Sequence, residues 1–154
     1  MIVRATLKDA TKLTEIALAS KAYWGYTAEQ IESWRDDLTV TPEMIEKCEV
    51  HKAILNGEVK GFHILNLEGQ NDMCTLEFLF VSPKSIGEKV GYLLLKHAFQ
   101  IALANRKLQM TLLADPNAAS FYAKYGFKEV SKEKSSIPGR FLPVMEKDLL
   151  GDKE

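Results

Sequence analysis

The first chemical signal in this chain is a turn between an apolar strand and a helix. The segment Val81-Ser82-Pro83-Lys84-Ser85-Ile86-Gly87-Glu88-Lys89-Val90-Gly91-Tyr92-Leu93-Leu94 reads as a buried strand, a glycine-containing turn and an amphipathic helix. The opening turn of a helix carries backbone N–H groups with no intrahelical acceptor, and its dipole adds about half a positive charge there. Such an end binds phosphate without needing a Lys or Arg. Gly87 and Gly91 let the backbone approach a ligand, because no Cβ stands in the way. The G-x-G-x-x-G dinucleotide pattern and the Walker sequence are both absent. On residues alone, an equal reading is that Gly87 makes a turn and Gly91 relieves helix packing.

A second group lies in Asp115-Pro116-Asn117-Ala118-Ala119-Ser120-Phe121-Tyr122-Ala123-Lys124-Tyr125-Gly126-Phe127. Pro116 starts a turn, and Asn117 can cap a helix or hydrogen-bond an amide. Gly126 suits the position just past a helix end, with Phe127 leading into a strand. An ordinary capped helix carrying a core tyrosine fits the same residues. Glu77 sits among Leu76, Phe78 and Leu79, where burial would raise its pKa toward that of a useful base. A strand glutamate facing solvent or pairing with a cation is the other reading. Tyr23, Trp24 and Tyr26 gather at a helix-to-helix turn, where aromatics often serve packing alone. His51, His63 and His97 have no metal-ligand spacing, and Cys48 and Cys74 match neither a disulfide framework nor a zinc pattern. No metal is expected.

These residues need a scaffold, and the periodicity supplies one. Ile2 to Thr6 reads as a strand, and Asp9 as a cap for a helix with Ala10, Leu13, Ile16 and Ala17 on one stripe. Thr27 is the expected N-cap of a helix from Ala28 to about Leu38, and Pro42 opens a short third helix. Val50 to Leu55 and Val59 to Leu67 flank Asn56-Gly57, a hairpin signal. Thr75 to Val81 is a strand rich in β-branched and aromatic residues. A helix from about Glu88 to Ala104 follows, with Val90, Leu94, Ala98 and Ile101 on one stripe. Strands at Met110–Leu113, Phe127–Val130 and Phe141–Met145, with a helix at Ala118–Tyr125, complete the chain. The order predicts an α/β (α+β) fold, a mixed sheet with helices on its faces.

At 154 residues the chain fits one domain, expected to span 1–154. Its 20 basic and 21 acidic residues balance, so charge gives no reason to expect nucleic acid or an anionic membrane as partner. No apolar run approaches the roughly 18 residues needed to span a bilayer. Charges early in Met1-Ile2-Val3-Arg4-Ala5-Thr6-Leu7-Lys8-Asp9 argue against a secretory signal. With two cysteines and no framework, the expectation is a cytoplasmic protein.

The turn resembles the pyrophosphate loop of the GNAT N-acetyltransferases, Q/R-x-x-G-x-G/A, which follows a strand ending in Val-x-Pro. Its six positions fall on Ile86, Gly87, Glu88, Lys89, Val90 and Gly91. Ile86 stands where the family prefers Gln or Arg, and Lys89 where it prefers Gly. A backbone N–H serves at both, while the Lys89 side chain either neutralises phosphate or crowds it. The second group is similar to the family's N-A-x-x-F-Y-x-x-x-G-F signature at every defining position, from Asn117 through Tyr122 to Phe127. The resemblance covers about Thr75 to Val130. Ser20 to Tyr26 and Ser136 to Arg140 are more weakly similar to one bacterial subgroup.

The resemblance implies a single-domain GNAT-like fold with a mostly antiparallel, splayed central sheet. It implies direct transfer of an acetyl group from acetyl-CoA, as co-substrate, to a primary amine of a small molecule or peptide. Backbone groups of Leu79, Phe80 and Val81 would meet the pantetheine and thioester, and Asn117 the cofactor. Tyr122 matches the family's general acid, since a phenol of pKa about 10 is protonated at neutral pH. Glu77 resembles the family's base, useful because a lysine-like amine is neutral in only about one molecule in 2,500 at pH 7. Tyr23, Trp24 and Tyr26 would line the acceptor site. Family members commonly form homodimers, and a strand near Phe141 would offer an edge for pairing. The alternative is a non-catalytic acyl-CoA-binding sensor or interaction module on the same scaffold.

Overall fold

Side-chain alternation decides which face each strand buries. The computed structural model describes residues 1–150. Its strands are β1 (Ile2–Arg4), β2 (Glu49–Leu55), β3 (Glu58–Asn66), β4 (Met73–Val81), β5 (Gln109–Leu113), β6 (Lys128–Lys134) and β7 (Phe141–Asp148). Its helices are α1 (Ala10–Ala22), α2 (Ala28–Ser33), α3 (Arg35–Leu38), α4 (Pro42–Lys47), α5 (Val90–Ala104) and α6 (Ala119–Lys124). The strands hydrogen-bond in the order β1-β2-β3-β4-β5-β7-β6. β4 runs parallel to β5, whereas β1–β2, β2–β3, β5–β7 and β6–β7 are antiparallel. The mixed, mostly antiparallel sheet predicted from the sequence is therefore present.

The chain divides into two units, Met1–Leu65 with Phe78–Ala98, and Asn66–Glu77 with Phe99 onward. In the first, one sheet face sends Val50, Phe62 and Ile64 into a core with Leu13, Ile16 and Ala17 of α1, and Phe78 and Phe80 of β4 pack against it. Residues of opposite parity serve the other face, where Ala53, Leu79 and Val81 meet Val90 and Leu94 of α5. The α1 stripe read from the sequence is the buried stripe. Gly61 lies in β3 because a Cβ there would stand 2.7 Å from the Phe80 carbonyl oxygen and 3.1 Å from Leu94 Cδ1. The β2–β3 hairpin turns through Asn56 and Gly57, both at positive φ (54° and 78°), as a two-residue type I′ turn requires.

Two local expectations are corrected, and one holds. Asp9 does not cap α1; its carboxylate accepts the Thr6 N–H at 2.8 Å and pairs with Lys52 Nζ at 2.9 Å, a stronger partner than an exposed helix end. The helix expected over 28–38 breaks at Trp34 (φ −100°, ψ 4°) into α2 and α3. Thr27 does cap α2, accepting the Gln30 N–H while Gln30 Oε1 accepts the Thr27 N–H.

In the second unit β7 lies between β5 and β6. Met110, Leu112 and Met145 are buried there, whereas every residue of β6 is exposed. The β6–β7 register slips between Glu129 and Ser131, a bulge at Val130. Among the described residues no helix is long and apolar enough to cross a membrane.

Candidate active site

The Ile86–Gly91 turn is built by two left-handed residues. After β4, Pro83–Ser85 forms a short 3₁₀ turn, and Glu88 N–H closes onto the Ser85 carbonyl at 3.1 Å. Gly87 follows at φ +92° with open space where a Cβ would stand, and Lys89 sits at φ +64°. A left-handed backbone suits glycine and strains any residue with a Cβ. The family's preference for Gly at the Lys89 position thus has a backbone cause. It also explains why α5 begins at Val90 rather than at Glu88 as read from the sequence.

The first intrahelical bond runs from Leu93 N–H to the Lys89 carbonyl at 3.1 Å. The N–H groups of Val90 and Gly91 precede it, at the positive end of a 15-residue helix. A negatively charged diphosphate fits this donor set. Ile86 presents an exposed apolar side chain, 46% accessible, at the rim of the turn. Sequence reasoning missed Ser85: its side chain is buried, and its hydroxyl has no partner among the described residues. A serine inside a Pro-Lys-Ser turn gives no sequence signal of burial.

Leu79, Phe80 and Val81 lie on the last part of β4. The parallel ladder to β5 runs from Met73↔Gln109 to Thr75↔Thr111, and the residues after Thr75 lie outside it. Leu79 and Val81 point toward α5 and Phe80 toward α1, so side chains anchor this strand end on both faces.

In the second unit, Tyr122 is buried on α6 between Phe121 and Phe127, with ring centroids at 5.2 and 5.6 Å in edge-to-face arrangements. Burial, and secondarily the Asp115 carboxylate, push its phenol well above the ordinary value, so the proton is held throughout the physiological range. Asn117 does not cap α6, whose N-cap is Ala118. Its N–H and its side-chain amide both donate to Asp115 Oδ1, at 2.8 and 3.0 Å, closing a turn around Pro116. Arg140 donates to Asp115 Oδ2 at 3.3 Å and to Ser135 Oγ at 3.1 Å, tying this turn to the segment before β7.

Glu77 is exposed, so of the two readings the sequence left open the solvent-facing strand glutamate is the one found. Its Oε2 accepts from Asn66 Nδ2 at 3.2 Å. Strand alternation accounts for this: Leu76 turns its side chain inward at 4% exposure, and its neighbour turns out.

Tyr23 and Trp24 are exposed and meet edge to face at 5.4 Å, just past α1. Tyr26 packs against Trp34 at 4.8 Å, and Lys21 Nζ lies over both rings at 5.8 and 5.6 Å. Trp34, at the α2–α3 break, joins the aromatic group that the sequence reading confined to 23–26.

The histidines converge despite their spacing. His63 Nε2 lies 3.0 Å from His97 Nδ1, and the His51 ring stacks on His63 at 5.3 Å. His63 is fully buried, and burial holds its imidazole down to about 3. Among the described residues no group of His, Cys, Asp or Glu is arranged to hold a metal ion. Cys74 is buried, which pushes its thiol up to about 11. Of the site residues read from the sequence, Tyr23, Trp24, Tyr26 and Leu79–Gly91 fall in the first unit. Glu77, Asn117 and Tyr122 fall in the second.

An acetyltransferase (GNAT) domain profile matches residues 24–149. The uncharacterized N-acetyltransferase YafP of Escherichia coli is 30% identical over 127 residues, covering 82% of this chain and 77% of that protein. The PaiA N-acetyltransferase of Thermoplasma acidophilum, solved in complex with coenzyme A, superposes with a TM-score of 0.82 at 24% identity, covering 96% of this chain and 98% of that one. A GCN5-related N-acetyltransferase structure from Rhodopseudomonas palustris gives 0.79 at 28% identity, covering 96% and 94%. With its signature helix intact and a family profile matched over most of its length, the chain belongs to the GNAT acetyltransferase family.

Proposed function

We propose that this protein transfers an acetyl group from acetyl-CoA to a primary amine of a small molecule or peptide by direct attack. The observation that carries this reading is the turn in front of α5, where Gly87 and Lys89 bend the backbone so that N–H groups lead the helix. Coenzyme A bound at the PaiA relative is consistent with it.

In this reading the N–H groups of Val90 and Gly91 hold the diphosphate, and backbone groups of Leu79–Val81 hold the pantetheine arm and polarise the thioester carbonyl. The thioester supplies the activated acyl group. Asn117, held in its turn by the hydrogen bond to Asp115, contributes to binding the cofactor. Glu77 takes a proton from the acceptor ammonium or amine, directly or through water. Tyr122 holds its proton at the phenol oxygen and gives it to the departing thiolate. Tyr23, Trp24 and Tyr26 wall the acceptor, their π faces suited to an ammonium group.

The test is a calorimetric titration of acetyl-CoA, followed by a thiol-release screen over polyamines, amino sugars, amino acids and peptide N-termini. Micromolar binding that collapses for S-acetylpantetheine, which lacks the diphosphate, is the expected result. Tyr122→Phe should keep that binding and lose about 100-fold in turnover, the low end for a proton donor. Binding without turnover on any amine would make the protein an acyl-CoA-binding module instead.

A further inference from the structure

An exposed glutamate with three side-chain torsions makes a poorly aimed base unless something holds it. Here the holding group comes from the end of β3. Asn66 donates from Nδ2 to Glu77 Oε2 at 3.2 Å, and its Oδ1 accepts the Glu68 N–H at 2.9 Å. The second bond fixes the orientation of the first. A backbone N–H can only donate, so the carbonyl end of the amide faces Glu68 and the amino end must face Glu77. An ionised carboxylate only accepts, so an amino group is the matching partner for the basic form of Glu77.

We propose that Asn66 is the positioning residue for Glu77, a role that rests on the reading of Glu77 as general base. Asn66 binds Oε2 and leaves Oε1 for the acceptor. A proton passes from the acceptor nitrogen to Oε1, and the freed lone pair forms the C–N bond at the thioester carbonyl. The C–S bond breaks, and the sulfur takes its proton from Tyr122. The proton left on the newly acylated nitrogen passes back to the Tyr122 oxygen, directly or through water. Later return of the Glu77 proton to solvent restores the base.

Asn66→Ala would remove both bonds and confuse aim with loss of the turn. Asn66→Asp separates them, because it keeps an oxygen for the Glu68 N–H while offering no N–H to Glu77. With the best amine from the screen, Asn66→Asp should lower kcat about tenfold, the effect of one charge-assisted hydrogen bond. The KM for acetyl-CoA should not move. In a Glu77→Gln background, adding Asn66→Asp should change kcat no further. If Asn66→Asp fails to fold by thermal melting, Asn66→Ser replaces it, since its hydroxyl can accept the Glu68 N–H but falls short of Glu77.

Wild-type kcat in Asn66→Asp, with Glu77→Gln impaired, would overturn the role of Asn66 and leave Glu77 as base. Full activity in Glu77→Gln would remove the base assignment and this proposal with it. Failure to acetylate any amine would overturn both.

Discussion

Lys89 shows how one residue type can disguise a motif without destroying it. Its φ of +64° is the backbone value that the family meets with glycine. A left-handed non-glycine residue costs about 1–2 kcal/mol, partly offset by the chain entropy that glycine adds to the unfolded state. Lys89→Gly should therefore stabilise the fold by about 1 kcal/mol, a rise of roughly 2–4 °C in Tm for a chain of this size. Differential scanning calorimetry would show it, and an unchanged or lower Tm would mean that the lysine side chain earns its place by contacts. At this scale the sequence was readable where a residue type has one use. Gly87, Asn56-Gly57 and Thr27 all fell at turns or caps as read. It misled where several partners compete for one polar group. Asp9 took a cation from β2 instead of a helix end, and Asn117 turned back to Asp115.

At the scale of elements, the β2–β3–α5 layer carries two of the sharpest tests. Gly61 is tight against the β4 backbone, so Gly61→Ala drives a methyl to 2.7 Å from the Phe80 oxygen. The strand must move, and a loss of about 1–3 kcal/mol in urea unfolding is expected. Because β4 would shift with it, affinity for acetyl-CoA should fall in the same variant.

The second test concerns the buried histidine. His63 sits against His51 and His97, while Glu49 faces the cluster through a 3.0 Å contact with His51. In the folded state the His63 imidazole stays neutral down to about 3, against an ordinary value of 6.5. The unfolded chain thus binds more protons between those limits. Stability from this residue is complete above about pH 6.5 and is lost as the pH falls toward 3. The loss has a ceiling of about 1.4 kcal/mol per pH unit for one group. His97, also depressed by burial, adds in the same direction. Urea denaturation at pH 7, 6 and 5 should show the slope, and His63→Gln should flatten it. None of this was visible in the spacing of residues 51, 63 and 97, because strand pairing and helix packing bring them together. The helix stripe of Val90, Leu94 and Ala98 was visible, since one period of 3.6 specifies it without any partner.

For the whole molecule, ligand binding and folding are linked. At acetyl-CoA concentrations about 100 times Kd, mass action adds about 2.7 kcal/mol to stability. That corresponds to a rise of roughly 5–10 °C in Tm, and S-acetylpantetheine at the same concentration should give far less. The strands and the β2–β3 hairpin were legible, because alternation and the Asn56-Gly57 turn mark them locally. The place of β7 between β5 and β6 was not, because it depends on long-range pairing that no local signal gives. Which way Glu77 faces stayed open between burial and solvent, because one step along a strand reverses a side chain and apolar residues flank it on both sides.

β6, bare on every side chain, closes one end of the sheet with lysines and glutamates around a bulge. Two such edges meeting in dilute buffer would have to match both charge pattern and kink, which discourages stacking. In about 1 M salt the screening length shrinks to about 3 Å, and the charge barrier largely disappears. Concentrated salt should therefore favour crystals in which neighbouring molecules join through this strand, whereas low-salt polymer precipitants should leave it facing solvent channels.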